Sequence, residues 1–397
     1  MKILYVSQRV PWPLKDGGVI AMHTLMHGLS HAGARVKVVC LNPNKDNVDL
    51  ASLPPSFKAD FAFERFDLDT VPTAMGAFKN LFTSHSYHVI RFYHKGFEAL
   101  LEQVLTREKF DIIHLESLFV TPYLPVMRRH HKGPIAMRAH NVEHRIWHNL
   151  AINEGNALKK WYLHLLANRL RAYEETTLNK LDALVALTHE DADFFTSSGF
   201  TGKVHISPHG INLAEFEYTG QPQGEADVFH LGSMDWIPNQ EAMRWFLDEI
   251  WPLVLESVPN VHFHLAGKKI PKWFYDRKDN NVTIAGEVPD ARAFMQRHHI
   301  MVVPLLSGSG IRVKILEGMA LGKPIIATPM AATGIEVTNG ENILLASKPT
   351  DIAANIISLL KDTGRRTQLA QNARRLIETR YDNKVVSEEL VKFYKEL

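Results

Sequence analysis

The chain has 397 residues, 45% of them apolar and 22% charged, with a net charge of +2. That length exceeds one ordinary core and suits two domains of about 150–200 residues each, and a charge so near zero excludes the strong field of a nucleic-acid-binding protein. A lone cysteine, Cys40, excludes an internal disulfide and reads as a small core residue, and no apolar run approaches the roughly 20 residues of a membrane span.

The first apolar run, residues 3–6, predicts a strand. It is too short for an export leader and is interrupted by Gln8-Arg9, Pro11 and Pro13, so a cytoplasmic protein is expected. A loop with Asp16, Gly17 and Gly18 follows, then a helix through Ala32 that Gly33 stops. Further strands are expected at 36–41, 61–66, 112–115, 135–138, 183–187 and 204–206, with helices between them, notably 97–107 and 156–180. Short buried strands alternating with helices predict a mostly parallel sheet covered on both faces.

After Pro208-His-Gly-Ile-Asn212 the composition shifts, and 218–225 reads as a Gly/Pro/Gln linker. A second alternating series follows, with strands at 228–231, 261–266, 282–285, 300–305, 325–327 and 343–345, and a helix over 239–256. From Asp351 onward the pattern is helical. The expected organisation is one domain over 1–210, a second over 211–375, and a last helix, 376–397, returning to the first domain. In two such doubly wound domains, ligands bind at the carboxyl ends of the strands, facing a cleft.

The densest chemistry lies between Ser307 and Glu317. A strand runs into a Gly/Ser loop with Ser309, Gly310 and Ile311, and a helix follows with Arg312, Lys314 and Glu317 near its start. Helix-start amides and two cations suit a diphosphate, and a carboxylate one turn on can accept from sugar or ribose hydroxyls. On an ideal helix Arg312 and Lys314 diverge by about 160–200°. They converge only if Arg312 belongs to the loop or first turn, where Gly308 and Gly310 free the backbone.

This segment resembles the donor-binding signature of the large retaining GT-B glycosyltransferase family called group 1 or family 4. The family's second glutamate opens Glu-Ala-Met-Ala-x-Gly-x-Pro-Val, and here Glu317 opens Glu-Gly-Met-Ala-Leu-Gly-Lys-Pro-Ile. The family's first glutamate, which contacts the transferred sugar, falls on Ser309. The resemblance implies a GT-B fold of two facing Rossmann-like domains, with Glu317 binding ribose hydroxyls. Gly17 and Gly18 resemble the glycine loop near the donor diphosphate. Gly232 and Ser233 resemble the Val-Gly-Arg-Leu segment, but its arginine is replaced by Ser233 and the following lysine and glycine give way to Trp236-Ile-Pro-Asn239. The phosphate charge is therefore expected to fall on Arg312 and Lys314. The segment around Glu287 resembles the wall of the base pocket, and His140 the strand-end histidine near the reacting carbon.

The implied activity is transfer of a sugar from a nucleotide sugar, UDP- or GDP-linked, to a glycan, lipid-linked or small-molecule acceptor. Retention of configuration and no metal cofactor are implied as well; Asp67-Leu-Asp69 has a metal-pair spacing but no phosphate-binding context. A metal reading also exists for His140, His144 and His148, which recur every four residues. Glu116, ending a strand, and Trp12 are candidate acceptor contacts, and the histidine pairs 130–131 and 298–299 read as solvated helix ends. The aromatic and basic stretches 78–97 and 159–162 suit peripheral contact with the inner face of a membrane. Two other readings fit the architecture: a GT-B sugar-nucleotide epimerase, and a non-catalytic two-domain sugar-binding protein.

Overall fold

The computed structural model describes residues 1–14, 17–83, 85–220, 222–308 and 310–397; Asp16 and Ser309, both singled out above, lie outside them. The chain divides into two compact units, Met1–Gly210 with Val386–Leu397, and Ile211–Val385. Ile377 and Tyr381 are buried in the core of the second unit, while Leu390, Val391 and Tyr394 are buried in that of the first.

The first unit holds seven strands: β1 (Lys2–Ser7), β2 (Arg35–Pro43), β3 (Glu64–Leu68), β4 (Ile112–Glu116), β5 (Ile135–Ala139), β6 (Ala183–Ala186) and β7 (Lys203–Ile206). They pair in parallel in the order β3-β2-β1-β4-β5-β6-β7. β4, β5 and β6 are buried at every position, as expected of strands covered on both faces. The Cys40 side chain lies in β2 with no exposure, and burial pushes its thiol well up.

The second unit repeats the plan. Its strands β8 (Val228–Leu231), β9 (Phe263–Ala266), β10 (Val282–Gly286), β11 (Ile300–Val303), β12 (Ile325–Ala327) and β13 (Leu344–Leu345) take the order β10-β9-β8-β11-β12-β13, again parallel. The chain direction across the sheet reverses between β1 and β4 in one unit and between β8 and β11 in the other. Loops leaving the carboxyl ends of such a strand pair diverge to opposite sides and leave a crevice for ligand.

Two elements differ from expectation for local reasons. Phe61 ends the helix Pro55–Phe61 and is fully buried, and the left-handed backbone of Ala62 (φ 42°) delays β3 to Glu64. The expected helix 239–256 is split into Ile237–Trp245, a π turn at Phe246–Ile250 and Trp251–Ser257. Pro252 is the cause, since it has no N–H to continue the ladder and its ring needs the room of a widened turn.

Candidate active site

In the first unit, functional side chains collect at the carboxyl ends of β1, β4 and β5. Glu116, the last residue of β4, has no exposed surface. Its Oε2 accepts from the Tyr5 hydroxyl of β1 at 2.5 Å and from His114 Nε2 at 2.7 Å. Its Oε1 accepts from Arg138 Nη1 of β5 at 3.2 Å and from His140 Nε2 at 2.5 Å. Burial pushes this carboxyl up, but Arg138, His140 and the histidine hydrogen bonds outweigh it and hold the group well below the usual carboxylate range. The expectation that Glu116 meets an acceptor is therefore corrected: all four donors are protein groups and no face is open.

The same contacts fix the protons. An ionised Glu116 only accepts, so His114 and His140 both carry hydrogen on Nε2. His114 Nδ1 is then an acceptor for the Tyr394 hydroxyl at 2.5 Å. His140 keeps its Nδ1 lone pair for another partner, and 19% of its side chain is exposed. Buried His209 completes the cluster, held neutral as burial, then the nearby Arg138 charge, push it down to about 3.

His140, His144 and His148 do not act together. His144 Nδ1 bonds Glu174 at 2.6 Å and His148 packs on His164, so the alignment by fours dissolves once His140 directly follows β5 rather than entering the helix Glu143–Ile152. Trp12 is half-buried, packed on the core and 6.2 Å from the His23 ring. Gly17 opens the helix Gly17–His31, and a Cβ there would meet nothing within 4 Å. Packing does not require that glycine, and Gly18 follows it in the first turn.

In the second unit, the loop after β8 meets the start of the helix Val313–Ala320. Arg312 immediately precedes this helix with non-helical backbone (φ −85°, ψ 84°), which is the condition for convergence with Lys314. Its guanidinium lies 5.2 Å from the Trp236 ring and bonds the Gly310 carbonyl. Lys314 Nζ donates to Asn239 Oδ1 at 3.1 Å, and Asn239 Nδ2 donates to the Ser233 carbonyl at 2.7 Å. A Cβ on Gly232 would overlap Lys314 Nζ and crowd Asn239 and His230, each at 2.9 Å. Only glycine leaves this space.

The electrostatics follow from enclosure. Burial, then Arg312, pushes the Lys314 ammonium down to about 7, although Glu317 opposes this. Burial also raises the Glu317 carboxyl against Arg292 and Lys314. His230 is pushed down to about 3 by burial and Lys314, and its Nδ1–H donates to the Val302 carbonyl at 2.8 Å. Ser233 Oγ donates to Asp235 at 2.6 Å, Ile311 is half-buried, Gly310 is exposed, and Glu287 is exposed near Lys268. Sequence reasoning gave no role to Asn239, Trp236 or His230. For Trp236 and Asn239 the signal was the departure Trp236-Ile-Pro-Asn239 itself; His230 lies within β8.

The histidine pairs are not solvated. His131 is buried, and His298 and His299 both contact Asp227.

Residues 15–215 match the family model Glycosyltransferase Family 4, and residues 225–362 match Glycosyl transferases group 1. A Klebsiella pneumoniae protein described as an uncharacterized 44.6 kDa protein in the cps region is 22% identical over 98% of this chain and 99% of its own. Sucrose-phosphate synthase from Thermosynechococcus elongatus superposes with a TM-score of 0.66 at 15% identity, over 100% of this chain and 99% of that one. Anabaena HepE in complex with UDP gives 0.64 at 14% identity over all of both chains, and its UDP-glucose complex 0.59 at 15%. These likenesses carry the GT-B fold, and with two family models spanning most of its length the chain belongs to the group 1, family 4 glycosyltransferases.

Proposed function

We propose that this glycosyltransferase moves a sugar from a UDP-sugar to an acceptor hydroxyl, with retention of configuration and without a metal. The observation that carries the reading is the meeting of Lys314 and Asn239 at Gly232 in the β8/β11 crevice, with Arg312 just before the same helix and its charge felt by Lys314. Two cations at a helix start answer the charge that grows on a departing diphosphate. One such preorganised donor contributes on the order of 3 kcal/mol to lowering a barrier. Glu317, one turn along, accepts from the ribose hydroxyls. Gly17 and Gly18, Ser233, Glu287, Ser309, Gly310 and Ile311 are assigned to the donor by the family pattern. UDP is favoured over GDP because the structural relative HepE is described with UDP and UDP-glucose.

In the reaction the bond from anomeric carbon to diphosphate oxygen breaks and a bond from that carbon to the acceptor oxygen forms on the same face. The acceptor proton passes to the departing phosphate. His140, its Nε2–H held by Glu116, accepts through Nδ1 from a sugar or acceptor hydroxyl and orients it.

Titration calorimetry with UDP and UMP tests the grip: UDP should bind at least about tenfold more tightly, since the second phosphate adds a charge-assisted contact. Equal affinities would refute it. Turnover of UDP-glucose should need no added Mg²⁺, and the product anomer read by NMR should match the donor.

A further inference from the structure

The far end of the second sheet carries a cluster that the proposed reaction does not use. Asp227 immediately precedes β8, His264 is the second residue of β9, and His298 lies between the helix Ala291–Arg297 and β11. The order β9-β8-β11 sets the three side by side at the amino ends of adjacent strands, and Gly232 lies past the other end of β8.

Asp227 Oδ2 is 2.5 Å from His298 Nδ1 and 3.4 Å from His264 Nε2, and one ligand atom from each residue lies within 4.8 Å of the others. The 3.4 Å spacing is long for a hydrogen bond. It equals the separation, about 3.4 Å, of two ligand atoms held tetrahedrally around zinc at ~2.1 Å. The other carboxylate oxygen is already fixed, accepting from the His299 amide at 2.7 Å and its ring Nδ1 at 2.9 Å. That is the outer support a metal-binding carboxylate needs. Phe294 and Phe229 wall the His298 ring at 4.5 and 5.7 Å. Lys323 also faces Asp227, but its ammonium is tied to the carbonyls of Gln296 and His298.

We propose that Asp227, His264 and His298 form a binding site for one divalent transition-metal ion of the zinc class, with solvent as fourth ligand. Two imidazoles and a carboxylate suit zinc better than magnesium or calcium. To bind, His298 Nδ1 exchanges its contact with Asp227 Oδ2 for the ion, and the two atoms move apart from 2.5 Å to the ~3.4 Å of neighbouring tetrahedral ligands. The ion ties the starts of β8, β9 and β11 together and serves as a clamp, away from the phosphate grip.

The test uses the full chain, stripped with EDTA and titrated with Zn²⁺ alone, then with Co²⁺. The site predicts one tight equivalent of Zn²⁺ and an intense visible cobalt spectrum of tetrahedral type. At a hundredfold excess of Zn²⁺ over Kd the second unit's melting temperature should rise by roughly 5–10 °C. His264→Gln and His298→Gln should each weaken that equivalent by at least about a hundredfold. The stripe His23 and His27, whose Nε2 atoms lie 3.2 Å apart, is the competing source of imidazole. The double variant His23→Gln/His27→Gln should leave the tight equivalent intact. Absence of a tight equivalent in the wild type, its survival in both His264→Gln and His298→Gln, or its loss in the His23/His27 variant would overturn the proposal.

Discussion

In the proposed donor grip, Lys314 should make donor binding depend on pH in a way that can be worked out beforehand. Its ammonium lies lowered from 10.5 to about 7, so charging it in the empty site costs about 5 kcal/mol relative to water. The group is then about half protonated at pH 7 and about one-tenth at pH 8. A diphosphate beside it restores the charge, so binding takes up a proton whenever the free site has lost one. UDP-glucose affinity should be flat below pH 6, fall about fivefold from pH 7 to 8, and about tenfold per unit beyond. UDP-glucose is the right probe because its phosphates do not titrate in this range. Calorimetry in buffers of different ionisation enthalpy should show uptake of about half a proton at pH 7. Lys314→Met should bind more weakly and lose the slope. The folded pKa lies below the unfolded one, so Lys314 takes stability from the empty protein as pH falls from 10.5 to 7, and saturating donor should return it. Flat wild-type affinity from pH 6 to 8.5, with no proton uptake, would refute the reasoning.

Glu317→Ala should weaken UDP by roughly 10- to 100-fold, the worth of hydrogen bonds to a charged group, with turnover at saturating donor largely kept; an unchanged Kd in calorimetry removes Glu317 from the ribose. Glu116→Gln leaves buried Arg138 without its counter-charge, so urea unfolding should show a loss of about 3–5 kcal/mol, and a smaller change than 1 kcal/mol would contradict the network. His209 sits near 3, below its unfolded value, so its contribution is full above pH 6.5 and drains away as pH falls toward 3. By pH 5 that amounts to about 2 kcal/mol, and the acid limb of a melting-temperature profile should flatten in His209→Gln. Phe78, Phe82 and Trp161 stand 58%, 78% and 60% exposed, so the triple change to serine should lower cosedimentation with anionic vesicles at least several-fold if this face meets a membrane.

The two clusters, one in each unit, were unequally legible in the sequence. Arg312, Lys314 and Glu317 fall within six residues, so local spacing alone posed the right geometric condition, a pre-helical Arg312, and the backbone there meets it. The alternation of strands and helices likewise gave both sheets, because buried parallel strands are short apolar runs. The Glu116 network could not be read that way. Tyr5, His114 and Arg138 come from three strands, and only the order β1-β4-β5 places them around one carboxylate, with Tyr394 of the last helix behind His114. A glutamate ending a strand looks the same in sequence whether it faces solvent or four donors. Asp227 escaped notice for the same reason, since its histidines are 37 and 71 residues away.

The route of the last helix, Asn383–Lys395, constrains how the protein is made. The first unit lacks Leu390, Val391 and Tyr394 until Ile211–Val385 has been synthesised. At 5–20 residues per second a ribosome needs roughly 10–35 s for that stretch. During this interval a nascent first unit displays an apolar socket, and His114 has no hydroxyl on Nδ1. The second unit, contiguous in sequence, waits for nothing. On the ribosome the later unit is therefore expected to close first. Loss of the helix Asn383–Lys395 is, in effect, a core mutation of the amino-terminal unit.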